Sequence, residues 1–273
     1  MYPYAIFHIG EAGVYPYGVC IGIGILACIL VYFKFTDAKR INKEVQDFGF
    51  MVAIFAIALG FLAAKAFQAL YNYIETGKWD FNGAGITAMG GFVGGAIAFV
   101  LIYFVGGIFV FRRNKGVHVR EFNKILLTAP ACITIAHAFG RIGCLMAGCC
   151  RGALLSTTEY VFGGIWMQGT IDKVKVWGYY VPTQLYEALF LFALFGLLTY
   201  LFYKRSNITH AVYLFAYGVW RIIIEIFRDD ARGGFVLGLA PSQWQSIIFI
   251  AGSIIIIAIY LLKEIPIVLP RGS

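Results

Sequence analysis

The sequence predicts an all-α polytopic membrane protein, with seven transmembrane helices and a small extracytoplasmic cap. Three observations predict it. Of 273 residues, 60% are hydrophobic and 13% charged. Mean hydropathy is +0.79, too apolar for a soluble domain. Apolar runs long enough to cross a bilayer core, about 17–25 residues each, recur along the chain, and the loops between them differ in basic content.

The runs lie at about 14–33, 48–71, 86–111, 125–143, 183–203, 209–227 and 239–262. No soluble domain of any size and no internal repeat is visible, so residues 1–273 read as a single membrane domain. Residues 1–13 lack a basic leader and a cleavage site, and read as a short extracytoplasmic lead. Tyr2, Tyr4, Tyr15 and Tyr17 suit its interface. The tail 269–273, Leu-Pro-Arg-Gly-Ser, resembles a protease-site remnant and stays outside the functional reading.

Basic residues orient the spans. Lys34, Lys39, Arg40 and Lys43 follow the first run; Arg112, Arg113, Lys115, Arg120 and Lys124 follow the third; Lys204 and Arg205 follow the fifth. The opposite loops carry fewer: Lys78, then Arg151, Lys173 and Lys175, then Arg228 and Arg232. This places the N-terminus outside and the C-terminus inside the membrane. The net charge of +8 is then mainly a topological signal, with cytoplasmic loops facing anionic lipid. No basic stripe is interleaved with aromatics, so no nucleic-acid partner is expected.

Between the fourth and fifth runs, residues 144–181 are too polar to span and too long for a turn. They form the expected cap, with a β-leaning stretch at Val174-Lys175-Val176-Trp177. Pro182 and Thr183 mark the next helix start, with Glu187 in its early turns.

Polar residues inside the runs point to a site. Gly140-Arg141-Ile142-Gly143-Cys144-Leu145-Met146-Ala147-Gly148-Cys149-Cys150-Arg151-Gly152 interrupts an apolar run with glycines, cysteines and arginines. Irregular backbone of this kind must be buried in protein or line a polar cavity, and an arginine at membrane depth is a site hypothesis by default. In the sixth run, Arg221, Glu225 and Arg228 fall at i, i+4 and i+7, on one helix face. The plain alternative is an ion-pair ladder that only fixes packing. The functional reading is a cationic clamp, because a guanidinium fork matches phosphate oxygens. Arg141, Arg221 and Arg228 together suit a phospholipid headgroup. Lys65, with Gln68 at i+3, either joins them or snorkels to an interface.

These residues resemble the prolipoprotein diacylglyceryl transferases. The resemblance rests on Gly140-Arg141-Ile142-Gly143, on Pro182-Thr183-Gln184-Leu185-Tyr186-Glu187, and on Tyr217-Gly218 through Arg221, Glu225 and Arg228. Tyr15-Pro16-Tyr17-Gly18, Met89-Gly90-Gly91-Phe92-Val93-Gly94-Gly95 and Ser242-Gln243-Trp244-Gln245-Ser246 resemble further family motifs, in the same order. The resemblance implies a seven-span bacterial membrane enzyme of lipoprotein biosynthesis. Such an enzyme moves the diacylglyceryl group of phosphatidylglycerol to a lipobox cysteine thiol of a prolipoprotein and releases glycerol phosphate. It implies phosphatidylglycerol or a similar phospholipid, membrane lipids and prolipoproteins as partners, and no cofactor. Arg141, Arg221 and Arg228 would hold phosphate, with Glu225 orienting the arginines. Gln184, Tyr186, Glu187, Lys65, Tyr17, Gly90, Gly91 and Gly143 would line or bind substrate.

The chain departs from the family where histidines and asparagines are expected. Met89, Val181 and Tyr15 stand where the family has His. Cys144, Ala147 and Cys149 stand at positions of an Asn and an Asn-Gly-Glu run. The usual base for a thiol is therefore missing. His137 shares Arg141's face at i, i+4 and reads first as a core histidine; His8, His118 and His210 lie elsewhere. Glu187 and Glu225 are the other candidate bases.

Cys20, Cys28 and Cys132 read as packing residues. Cys144, Cys149 and Cys150 join the candidate catalytic set with Arg141, Arg221 and Glu225, because thiols beside arginines become reactive. A disulfide and plain pocket lining are the alternatives. Cys-x4-Cys-Cys without a fourth Cys or nearby His is a poor zinc pattern, so no metal is expected. Against the transferase stand a non-catalytic or redox lipid-binding membrane protein and a small-anion transporter. The lack of a two-fold repeat speaks against the transporter.

Overall fold

The computed structural model describes residues 4–10, 12–79, 81, 87–114, 116–171, 174–228 and 241–268. The tail 269–273, Lys115, Lys173 and Arg232 lie outside them, and Met89 is described by its backbone alone. The chain is mostly helical. A hairpin, β1 (Phe7–Ile9) and β2 (Ala12–Val14), precedes α1 (Pro16–Ala38), α2 (Lys43–Thr76) and α3 (Ala88–Leu101). A π-helical turn, Ile102–Gly106, joins α3 to the short α4 (Gly107–Val110). Next come α5 (Val117–Ala147), the strands β3 (Leu154–Ser156), β4 (Ile165–Ile171) and β5 (Val174–Tyr180), then α6 (Thr183–Tyr203), α7 (Thr209–Glu225) and α8 (Pro241–Leu262).

Six helical segments among the described residues are long and apolar enough to cross a membrane: Pro16–Ala38, Lys43–Ile74, Gly90–Val110, Val117–Ala147, Thr183–Tyr203 and Ser242–Leu262. Seven were expected. The remaining run is α7, whose 17 residues rise only about 26 Å at about 1.5 Å per residue, against a hydrocarbon core of about 30 Å.

The chain divides into two compact units. One contains residues 35–126 and 233–241. Here α2 and α3 pack through small residues. A side chain at Gly94 would collide with the Cβ of Ala63, and one at Gly91 would sit 3.3 Å from the Cβ of Ala64. Without a hydrophobic effect between helices in lipid, such close backbone approach supplies the attraction. Below this stripe, Ile41, Val45, Val52, Tyr103, Phe111, Val117 and Ile125 form a buried core. The Tyr103 hydroxyl donates to the carbonyl of His118 at 2.8 Å. Asn42 caps α2, its Oδ1 accepting from the Glu44 N–H at 2.9 Å.

The other unit contains residues 1–34, 127–232 and 242–273. It holds most of α1 and α5, the cap, and α6, α7 and α8. Hydroxyl-to-carbonyl bonds link its helices: Thr209 Oγ1 donates to Leu127 O at 3.1 Å, and Ser253 Oγ to Ala211 O at 2.9 Å. Phe190 and Trp220 stack across α6 and α7 with centroids 4.3 Å apart. The cap is an antiparallel sheet in the order β3-β5-β4, with Ile165 opposite Tyr180 and Ile171 opposite Val174. Two residues, Val181 and Pro182, separate β5 from α6. The expected start of α6 is the one observed: Thr183 opens the helix, and the Pro182 carbonyl accepts from the N–H groups of Leu185 and Tyr186.

Two local readings are corrected. The fourth span was expected to end at about residue 143, with irregular backbone beyond it, but α5 runs on to Ala147. The glycines cost helix propensity, about 1 kcal/mol each, yet a side chain at Gly143 would stand 3.1 Å from the Tyr17 ring, so packing of α1 against α5 overrides propensity. Arg228 was placed on a helix face with Arg221 and Glu225. Instead α7 ends at Glu225, and the N–H groups of Ile226, Phe227 and Arg228 close i→i−3 turns onto Ile223, Ile224 and Glu225. That tighter winding takes Arg228 off the helical register.

Candidate functional site

Three helices of the second unit bring charges together in its interior. His137, Arg141 and Cys144 follow one another at i, i+4 and i+7 along α5, so they share a face. Gln184 and Glu187 come from the first turns of α6, and Tyr217, Arg221 and Glu225 from one face of α7. The Glu187 carboxylate lies at the centre with 0% exposure. Its Oε2 is 3.0 Å from Arg141 Nε and 3.7 Å from an Arg221 terminal nitrogen. Its Oε1 accepts from the Tyr217 hydroxyl at 3.1 Å and lies 3.8 Å from His137 Nε2. The other Arg221 terminal nitrogen donates to Glu225 Oε2 at 3.2 Å. A buried carboxylate is costly unless paired and hydrogen-bonded, and here two guanidiniums and a phenol surround it.

The two arginines are used differently. Arg221 spends both terminal nitrogens on carboxylates. Arg141 makes its contacts through Nε, which faces Glu187 and donates to His137 Nε2 at 3.3 Å. The terminal amino groups of Arg141 take part in neither contact. With Arg228, which interacts electrostatically with Glu187, three cations face two carboxylates. The cluster therefore carries a surplus positive charge, suited to an anion.

Immediately after α5 the chain turns sharply. Gly148 and Cys150 both lie in the left-handed region, at φ +74° and +57°. The start of α6 holds this turn: Gln184 Nε2 donates to Cys149 O at 2.6 Å, and Thr183 Oγ1 to Cys150 O at 2.9 Å. Thr183 and Gln184 are fully buried. As a result the thiols of Cys144, Cys149 and Cys150 converge, with all three sulfurs within 4.8 Å of one another. All six cysteines are free. Hydrogen bonds from the Cys144 and Cys149 thiols, with Arg141 and Arg228 nearby, pull the Cys150 thiol well below its ordinary range, against the effect of burial.

The remaining expected residues divide. Tyr17 lines an open cavity of about 460 Å3 with Tyr15, Gly18 and Ala147, and interacts electrostatically with the three cysteines and Arg141. Gly143 gives α1 room beside α5. Tyr186 reaches the cap instead, its hydroxyl donating to Gly163 O at 3.1 Å. Lys65, Gly90 and Gly91 belong to the first unit. There a side chain at Gly90 would strike the Phe67 ring, so this glycine serves helix packing. Gln68 accepts from the Thr87 hydroxyl at 2.8 Å.

Two members of the cluster were named from the sequence but left out of the expected site set. His137 was placed on Arg141's face by its i, i+4 spacing yet read first as a core histidine. Tyr217 sits i−4 from Arg221, and a phenol one turn from a buried arginine was the corresponding signal.

Long apolar helices around a buried arginine–carboxylate cluster define a multi-pass membrane protein with a charged interior site. The sequence profile of prolipoprotein diacylglyceryl transferase matches residues 4–259. The chain is 32% identical over 259 residues to phosphatidylglycerol–prolipoprotein diacylglyceryl transferase 2 of Clostridium perfringens, covering 92% of each chain. It is 29% identical over 250 residues to the phosphatidylglycerol–prolipoprotein diacylglyceryl transferase of Clostridium tetani, covering 89% of this chain and 91% of that one. The Streptococcus agalactiae enzyme of the same name is 29% identical, with 96% of each chain covered. The chain belongs to the prolipoprotein diacylglyceryl transferase family.

Proposed function

We propose that this protein transfers the diacylglyceryl group of phosphatidylglycerol to the lipobox cysteine thiol of a prolipoprotein, at the outer face of the bacterial inner membrane, with its N-terminus outside and its C-terminus inside. The observation that carries the reading is the surplus cationic cluster at Arg141, with unengaged terminal nitrogens, inside a chain that matches the family from residue 4 to 259. The phosphate lies between Arg141 and Arg228. Arg221, held by Glu187 and Glu225, supports the positive field. The substrate thiolate attacks the glyceryl carbon that bears the phosphate; the carbon–oxygen bond breaks, and its electron pair leaves on the phosphate oxygen as glycerol phosphate. Fixed cations stabilise that developing charge.

Of the two glutamates, Glu187 is fully buried and already engaged by two arginines and a phenol. Glu225, with 15% of its side chain exposed, takes the substrate thiol's proton. The chain's own cysteines carry no covalent step in this reading. A thioether formed on Cys144, Cys149 or Cys150 would have a poor leaving group and would not turn over.

The test is transfer from phosphatidylglycerol vesicles to a synthetic lipobox peptide, read by mass spectrometry. The expected product carries one diacylglyceryl group on the cysteine. Purified, folded protein that yields none, while the Clostridium perfringens relative does so under the same conditions, would overturn the proposal.

A further inference from the structure

We propose that Cys144, Cys149 and Cys150 form a three-thiolate site for a soft, thiophilic metal ion of the copper(I) and cadmium(II) class. Among the described residues, this trio is the one group of metal-ligating side chains whose ligand atoms converge. The sequence pattern argued against zinc because a closed tetrahedral site needs four ligands. Three thiolates suffice for a soft ion that accepts trigonal coordination.

The geometry is close to that requirement. Metal–sulfur bonds of about 2.3 Å set the sulfurs of a trigonal site about 4 Å apart, and here all three lie within 4.8 Å of one another. The ligands are also held in place. Cys144 is fixed in the last turn of α5, and the carbonyls of Cys149 and Cys150 are anchored by the buried Gln184 and Thr183 side chains. Such support of ligand-bearing backbone orients a site before the ion arrives. Charge fits as well. Three thiolates around a divalent ion leave one negative charge in excess, and Arg141 and Arg228 both interact electrostatically with Cys150. Cys149 is exposed, which gives an ion a way in. Binding releases the thiol protons to solvent.

The inference does not depend on the transferase reading, and its test does not use turnover. Cadmium(II) is titrated into the reduced full chain in detergent, following the sulfur-to-cadmium ultraviolet absorption. Alkylation mass spectrometry is run with and without the ion. The expected result is saturation at one equivalent, with Cys144, Cys149 and Cys150 protected while the labelling of Cys20, Cys28 and Cys132 is unchanged. Cys144→Ser, Cys149→Ser and Cys150→Ser should each weaken binding at least tenfold, and Cys20→Ser should not. Thermal melting checks the fold of each variant; Cys149→Ala, at the exposed position, provides a variant that leaves the turn's anchors intact. Absence of the absorption, protection of fewer than three of the trio, or equal loss in Cys20→Ser would overturn the proposal.

Discussion

Glu187 decides the charge balance of the interior. It meets Arg141 at 3.0 Å, Arg221 at 3.7 Å and the Tyr217 hydroxyl at 3.1 Å while fully buried. Arg221 joins it to Glu225 through separate nitrogens, which a lysine ammonium cannot reproduce in that geometry. Arg221→Lys should therefore lose one of the two carboxylate contacts that the guanidinium makes at once. Breaking a buried pair costs about 3–5 kcal/mol. Its melting temperature in detergent should fall, and phosphatidylglycerol-dependent transfer should drop more than tenfold. Unchanged values for both would remove the cluster from the mechanism. Tyr217→Phe is milder: it deletes one hydrogen bond to a charged group, worth about 1.5–3 kcal/mol, and should lower stability without abolishing lipid binding.

At the scale of elements, legibility followed the physics that governs each one. The start of α6 was readable because Pro182 and Thr183 are local signals. The pairing of β4 with β5 was only hinted at by Val174 to Trp177, since register depends on partners distant in sequence. The extension of α5 beyond residue 143 to Ala147 was missed because the glycines and cysteines of that stretch read as irregular. In the same way, the arginines of the site were visible as misplaced charge. His137 and Tyr217 were named but given no place in the site, because both are ordinary residues of an apolar helix until Glu187 is brought against them. The α2–α3 contact tests this contrast directly. Gly94→Leu should prevent those helices from closing and sharply reduce recovery of folded protein in detergent. Gly196→Ala in α6 meets nothing within 4 Å, and should be neutral or stabilising by up to about 1 kcal/mol. Equal recovery of both variants would show that the stripe does not hold the pair together.

For the whole molecule, orientation can be checked by labelling. In a background without native reactive cysteines, a cysteine introduced at Arg113 should resist an impermeant maleimide on intact cells, and one at Lys175 should react. The reverse pattern would invert the proposed topology and place the cap on the wrong side for prolipoproteins.

The short α7 has a further consequence. A helix of 17 residues ending in Arg221 and Glu225 is about one turn short of the hydrocarbon thickness. Such mismatch is relieved by local thinning of the bilayer, at fractions of a kcal/mol per Å. The leaflet beside α7 should dip, carrying headgroups toward the buried arginines and shortening the distance a lipid must travel. Transfer rates in vesicles of graded acyl-chain length should then fall as the bilayer thickens, and a rate indifferent to chain length would show that no such dip assists entry.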